Sequence, residues 1–252
     1  MPQPGLISVI IPAYNAARFI ALAIDSVLAQ PHRPMEILVI DDGSTDRTAE
    51  IADRYGPPVR CLRQANAGPP AARNRGLAEA RGELIAFLDA DDVFEPDCLR
   101  LQCEKLAAHP ATDIVVGRRT REDVRTAADG TLAFTLHPDQ DEVALSLGAT
   151  LIRRAAFDRI GRFDETLRHC DDWDWFMRVR EAGLAMLLHR ALVLRIRLHP
   201  ANITRERSQG QHHMARMLQR SIQRRRQLFG QARSLSALSA AFEPDRSRED
   251  AS

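Results

Sequence analysis

Between Leu6 and Leu88, short apolar, β-branched runs alternate with segments whose apolar residues recur at helical spacing. That alternation leaves the chain few folds to choose from. Leu6 to Ile11 reads as a strand bounded by Pro12, and Phe19/Ile20, Ala23/Ile24 and Val27/Leu28 then line one face of a helix. Glu36 to Ile40 is the next strand, and Asp46 to Tyr55 the next helix, entered through Ser44, Thr45 and Asp46, residue types that cap helix starts. Val59 to Leu62, Pro70 to Ala80 and Leu84 to Leu88 continue the series as strand, helix and strand. Strands joined through helices pair in parallel, so the expected class is α/β, a mostly parallel sheet flanked by helices.

The last of these strands ends abruptly in acid: Phe87-Leu88-Asp89-Ala90-Asp91-Asp92. Open α/β sheets bind ligands beyond the carboxyl ends of their strands, and hard oxygen donors suit Mg²⁺ or Mn²⁺. The pattern therefore points to a metal-held diphosphate, with a solvated acidic turn as the competing reading.

After a helix near Pro96 to Ala107, residues 113–147 lose the clean alternation and become polar, with a turn signal at Asp129-Gly130. This is the variable region expected to shape substrate choice. A helix is expected from Trp173 to Ala182, then apolar runs at Ala185 to Leu188 and Leu192 to Ile196. Residues 205–233 read as a basic amphipathic helix, with Met214, Met217/Leu218, Ser221/Ile222 and Leu228 opposite Arg216, Arg220, Arg224, Arg225 and Arg226. The expected organisation is a catalytic domain over 1–204, this extension over 205–233, and a disordered tail over 234–252.

Composition excludes more than it selects. A formal net charge of +1 gives no overall drive toward nucleic acid, and none is expected as a partner. Cys61, Cys98, Cys103 and Cys170 lack metal-finger spacing, so free thiols are expected. The first residues lack a leader's basic and apolar regions, and no stretch approaches the roughly 20 apolar residues of a membrane span. A cytoplasmic protein is expected, and Lys105 as the single lysine among many arginines suits a GC-rich bacterial coding sequence.

Five segments stand in order: Ser8-Val-Ile-Ile-Pro12-Ala-Tyr14-Asn15; Asp41-Asp42-Gly43-Ser44-Thr45-Asp46; Asn66-Ala67-Gly68 with Ala72-Arg73-Asn74; Asp89-Ala90-Asp91-Asp92; and Asp171-Asp172-Trp173-Asp174. The ordered set, over roughly residues 6 to 204, resembles family 2 glycosyltransferases with the GT-A (Rossmann-like) fold. The resemblance implies a metal-dependent transfer of a sugar from a nucleotide-diphospho-sugar, a UDP-sugar by preference, to a glycan or lipid-linked acceptor. It implies nucleotide contacts at Pro12, Ala13, Tyr14, Asn15, Asp42, Asn66, Gly68, Arg73, Asp89 and Ala90, with Asp42 accepting from the base and Asp89 meeting the ribose. Asp91 would hold Mn²⁺ or Mg²⁺, joined by His199, and Asp172 would be the base of an inverting displacement. Asp171 departs from the glutamate usual at its position and leaves the catalytic position intact. Trp173 and Trp175 would form an acceptor platform, with core packing as the alternative for each. Asn202-Ile203-Thr204 also fits an N-glycosylation sequon, which the absence of a leader makes a chance match.

Processive synthases of this family carry Gln-x-x-Arg-Trp, whereas Gln223-Arg-Arg-Arg226 is followed here by Gln227, so one sugar per encounter is expected. A sugar-1-phosphate nucleotidyltransferase should open with a glycine-rich loop, where this chain has Pro12-Ala-Tyr-Asn15. The rival from another class is an idle GT-A-like module that docks on a membrane or protein through its arginine-rich helix. That helix could also bring an active enzyme to a membrane surface as a peripheral contact.

Overall fold

The computed structural model describes residues 2–32, 34–127, 129–168, 170–200, 202, 207–229 and 241–242. Its first half follows the alternation: β1 (Gln3–Ala13), α1 (Ile20–Leu28), β2 (Met35–Asp41), α2 (Thr48–Asp53), β3 (Val59–Arg63), α3 (Pro69–Glu79) and β4 (Gly82–Phe87). A short β5 (Val93–Phe94) and α4 (Cys98–Ala108) lead to the long strands β6 (Ile114–Thr126) and β7 (Leu132–Val143). Then come β8 (Thr150–Arg153), α5 (Arg154–Ile160), α6 (Asp171–Glu181), β9 (Met186–Leu198) and α7 (Arg207–Phe229).

The described strands form one sheet in the order β3-β2-β1-β4-β8-β6-β9-β5, with β7 hydrogen-bonded to β6. β1 is parallel to both β2 and β4, and β2 is parallel to β3, so the carboxyl ends of all four strands lie along one edge. β8 runs antiparallel between β4 and β6, and β6 pairs in parallel with β9.

Each strand serves two cores because successive side chains point to opposite faces. Ile7, Val9 and Ile11 of β1, with Ile37 and Val39 of β2, face α1 and α4, where Ile20, Ile24, Val27 and Leu99 cover them. Ile10, Leu38, Ile40, Ile85 and Phe87 face the other way, against α3, α5 and α6. On that second face the amino end of the sheet is closed by a polar knot. Glu36 takes a hydrogen bond from Ser8 Oγ at 2.7 Å and from the Arg81 N–H at 2.6 Å. Burial alone would raise the Glu36 carboxyl, but these donors outweigh it and hold it below the usual range.

The polar region 113–147 is the main departure from the expected pattern. It is a β-hairpin, and its first strand lies inside the sheet. β6 has Val115 and Val116 in the core, while beyond them Arg119 and Arg121 pair with Glu142 and Glu122 takes the Arg197 guanidinium at 2.8 Å. Ion pairs replace apolar burial there, so no hydrophobic period marks the strand. The expected turn is present: Asp129 Oδ1 accepts the Thr131 N–H at 3.0 Å, and Gly130 has φ 85°. The two apolar runs read after Ala185 join as β9, and α5 lies where no element was anticipated.

α7 packs on α6 with an orientation the charge pattern did not predict. Met217 and Ser221 turn inward, and Arg224 reaches Glu181 at 2.7 Å and Asp174 at 3.1 Å. Arg220 is paired with Asp164. Met214, Leu218 and Ile222 face outward. Beyond α7, Phe242 forms a parallel bridge to Leu188; the remainder of the expected tail, 234–240 and 243–252, and the ends of the expected helix at 205–206 and 230–233 lie outside the described residues.

Gly76 sets how closely α3 lies on the sheet, because a Cβ there would fall 2.3 Å from Cγ2 of the fully buried Ile10. Overfilling a packed core costs roughly 1–3 kcal/mol. Gly76→Val is therefore expected to lower the unfolding free energy by that amount, read as a lower urea midpoint at an unchanged denaturant slope, and a midpoint equal to wild type would show that α3 can lift away freely.

Candidate active site

The loop after β1 and the loop after β2 are built as one unit. Asn15, held at φ 49°, accepts the Thr45 N–H at 2.8 Å, and its own N–H donates to Ser44 Oγ at 3.0 Å. Asp46 Oδ1 accepts the Thr48 N–H at 2.9 Å in the turn that leads into α2, while Asp46 Oδ2 takes the Ala17 N–H at 3.0 Å. Gly43 cannot be replaced without strain: its φ is 74° and a Cβ would lie 2.8 Å from Asn66 N.

Asp42 is 3% exposed, and it anchors the loop that precedes α3. Oδ1 accepts from the Ala67 N–H at 2.9 Å and Gln64 Nε2 at 2.7 Å, and Oδ2 accepts from the Gly68 N–H at 2.8 Å. Asn66 donates to the Asp42 carbonyl at 2.9 Å. The carboxylate thus shapes the wall beside the strand ends. Tyr14 is half exposed, while Pro12 is paired within the sheet opposite Ile40.

The acidic turn follows β4. Asp89 is well exposed, Asp91 is partly exposed, and Asp92 is buried with Oδ1 accepting the Arg197 N–H at 2.9 Å. Burial, then the charges of Asp91 and Asp89, push the Asp92 carboxyl well above its ordinary range. The end of β9 closes over this turn. His199 Nε2 lies 3.0 Å from Asp91 Oδ2, with its ring stacked on Phe19 at 4.5 Å between centroids.

α6 begins beside the same turn. Cys170 precedes it at φ 64°, and Asp171, Asp172 and Asp174 occupy its first turn, where the helix dipole favours negative charge. Arg73 of α3, 8% exposed, donates to Asp171 Oδ2 at 2.6 Å and to Asp89 Oδ1 at 3.0 Å. One guanidinium therefore joins α3, the acidic turn and α6. Asp172 Oδ1 accepts the Trp173 N–H at 2.8 Å. Burial among its neighbours and the Asp171 charge raise the Asp172 carboxyl to about 6 against the opposing pull of Arg73. Such a group is ionised at neutral pH and basic enough to accept a proton.

Three expected contacts are not where the sequence put them. Trp175 is fully buried, stacked on Phe157 at 4.7 Å, with Nε1 donating to the Gly161 carbonyl at 3.0 Å. It is a core residue that seats α6, and of the proposed aromatic platform Trp173, 47% exposed, alone reaches the surface. The side chains of Ala13 and Ala90 likewise enter the core, so each could meet a ligand through its backbone alone. Conversely, Asn202 was read as part of a chance sequon, yet its side chain touches Asp91 at 3.0 Å. Its spacing from His199 was the available signal.

No three His, Cys, Asp or Glu side chains converge as a closed cage among the described residues. A Mg²⁺- or Mn²⁺-type site needs none, since such ions are commonly held by one or two carboxylates together with substrate phosphates and water. Asp91 with His199, and Asp89 beside them, offers that kind of open donor set.

The sequence model of Glycosyl transferase family 2 matches residues 8–179. An uncharacterized glycosyltransferase of Rickettsia typhi is 32% identical over 214 residues, covering 79% of this chain and 66% of that protein. The uncharacterized glycosyltransferase EpsJ of Bacillus subtilis is 30% identical over 217 residues, covering 79% and 63%. The chain thus spans just under two thirds of the length of these relatives. Among solved structures, S. aureus TarS in complex with UDP-GlcNAc superposes with a TM-score of 0.68 at 20% identity, over 84% of this chain and 65% of that one. The mannosyltransferase PcManGT of Pyrobaculum calidifontis, in complex with GDP-Man and Mn²⁺, gives 0.63 at 18% identity, over 86% and 64%. At those identities the structural likeness speaks for the GT-A fold, while the match over residues 8–179 speaks for descent. This chain belongs to glycosyl transferase family 2.

Proposed function

We propose that the chain is an inverting, non-processive glycosyltransferase that moves a sugar from a nucleotide-diphospho-sugar to a hydroxyl of a cell-surface glycan or its lipid-linked precursor. The observation that carries this reading is Asp172. A carboxylate raised to about 6 stands at the start of α6, tied through Asp171 and Arg73 to the acidic turn at the carboxyl ends of the parallel strands. Base and diphosphate-side carboxylates are thereby fixed against each other.

In this mechanism the β1, β2 and α3 loops receive the nucleotide, with Tyr14 over the base and Asp89 toward the ribose. Asp91 and His199 would hold Mn²⁺ or Mg²⁺, which supplies Lewis-acid neutralisation of the leaving diphosphate. Asp172 accepts the acceptor hydroxyl's proton as that oxygen bonds to the anomeric carbon. The bond to the diphosphate oxygen breaks on the opposite face and takes the electron pair with it. One displacement with one base inverts the anomeric centre. Trp173 beside Asp172 offers the acceptor sugar an apolar face.

A UDP-sugar is the proposed donor, supported by the TarS complex with UDP-GlcNAc; PcManGT holds GDP-Man, so GDP is the alternative to test. Asp89, Asp91 and Asp172 weigh against the idle-module reading. The outward Met214, Leu218 and Ile222, on a helix that has arginines and no acid from Arg207 to Phe229, support peripheral contact with an anionic membrane on the cytoplasmic side. No helix among the described residues is long and apolar enough to cross a membrane.

Calorimetric titration of UDP, GDP, CDP and dTDP, with Mn²⁺ and then with EDTA, tests the donor site. Binding of one nucleoside diphosphate that EDTA abolishes is expected; no binding to the folded protein would return the idle-module reading. Asp172→Asn should keep that affinity and lose at least about 10²-fold in kcat, within the range general bases contribute. For wild type, kcat/KM should fall as pH drops below about 6, because protonated Asp172 cannot accept the hydroxyl proton. An unchanged turnover in Asp172→Asn removes it as the base. Sedimentation with vesicles containing phosphatidylserine should retain wild type and release Leu218→Glu/Ile222→Glu; equal retention of both would place any membrane contact elsewhere.

A further inference from the structure

β9 ends at Leu198 over the acidic turn, and Asn202, three residues past His199, makes the contacts that shape this corner. Its Oδ1 accepts the His199 N–H at 2.5 Å, and its own N–H donates to the His199 carbonyl at 3.2 Å. Its Nδ2 donates twice, to the Arg197 carbonyl at 3.1 Å and to Asp91 Oδ2 at 3.0 Å. Only this orientation of the amide satisfies the set, since one end meets a donor and the other meets two acceptors. Asn202 Nδ2 and His199 Nε2 both meet Asp91 Oδ2, and neither touches Oδ1. The Asn202 donor and the His199 ring nitrogen, both against that one oxygen, hold the plane of the carboxylate and direct its other oxygen. At the same time the side chain fixes the turn that carries His199. One amide therefore orients both side chains assigned to the cation.

We infer that Asn202 is a positioning residue for a divalent cation at Asp91 and His199. The inference rests on the donor-site reading above and adds to it a residue that acts through Asp91 and His199. It also gives the Asn202-Ile203-Thr204 sequence a reason other than glycosylation. Nδ2, the atom a glycan would occupy, is engaged by Asp91 and the Arg197 carbonyl, and an attached sugar would break both contacts. Groups that orient metal ligands by hydrogen bonding matter out of proportion to their distance from the ion, and their loss costs about 10–100-fold in metal affinity.

The test is Mn²⁺ uptake by the full chain, read from the electron paramagnetic resonance signal of free Mn²⁺, with and without UDP. Asn202→Ala should weaken uptake by about 10–100-fold. Nucleotide affinity in EDTA should stay within about twofold, since the loops from β1, β2 and α3 are untouched. Thermal unfolding of the variant without metal establishes that it is folded. A second variant separates positioning from local packing: in a His199→Ala background, Asn202→Ala should cost less than it does in wild type, because one of its two targets is gone. Full additivity, or unchanged Mn²⁺ uptake in folded Asn202→Ala, overturns the inference and leaves the donor site standing. Wild type that takes up no Mn²⁺ under any of these conditions overturns the metal reading and this inference with it.

Discussion

The Arg73 guanidinium, buried between Asp171 and Asp89, is the contact on which the geometry of the site depends. Burying an ion pair is a poor way to gain stability, because desolvation offsets most of the Coulombic attraction. It is an effective way to fix position, because a fork of donors meets carboxylates in few orientations. Arg73 rises from α3 and takes hold of the turn after β4 and the first residue of α6. Taking it away would leave Asp171 buried without its cation, a loss of about 3–5 kcal/mol in comparable buried pairs. The aromatic cluster below does the complementary work. Trp175 stacks on Phe157, and Phe87, two residues before Asp89, meets Phe163 at 5.5 Å. Apolar packing sets the height of α6 over the sheet, and Arg73 sets which carboxylates face one another.

β9 plays the matching part on the other side of the acidic turn. Arg195 reaches Glu95 at 2.6 Å, Arg197 joins Glu122 and places its N–H on Asp92, and His199 meets Asp91. The Arg197 guanidinium also lies 4.6 Å from the Phe134 ring centre on β7. The hairpin is therefore coupled through one arginine to the turn that would hold the cation.

What the sequence revealed and what it hid follow from where hydrophobic burial is the organising force. β1 to β4 were legible because both faces of each strand are covered by helices, which forces apolar runs, and because the carboxylates begin where that burial ends. β6 was hidden because its outer half is held by Arg–Glu pairs, which leave no period to read. The orientation of α7 was hidden for a related reason. Arginines read as a solvent face until the surface of α6 is known to offer Asp174 and Glu181, which draw Arg224 inward and leave Leu218 and Ile222 outside. Ala13, Ala90 and Trp175 show a further limit. A motif identifies a stretch of chain, whereas the pleat and the helical turn decide which of its side chains face the cleft.

The charge balance at the strand ends connects these parts. Asp89, Asp171 and Asp172 gather around the buried Arg73 guanidinium with Asp91 and Asp92 next along the turn, and Asp92 and Asp172 respond with raised proton affinity. Such a site repels a diphosphate. On the proposed reading, cation and nucleotide must therefore each increase the site's affinity for the other, and by linkage they do so by the same factor. The repulsion also explains the division of labour. On the proposed reading Arg73 already serves Asp171 and Asp89, so an exchangeable cation is needed beside it to neutralise the leaving group. Asp172, held one residue beyond the Arg73–Asp171 pair, keeps an elevated basicity, which on the proposed reading suits it to take the acceptor's proton.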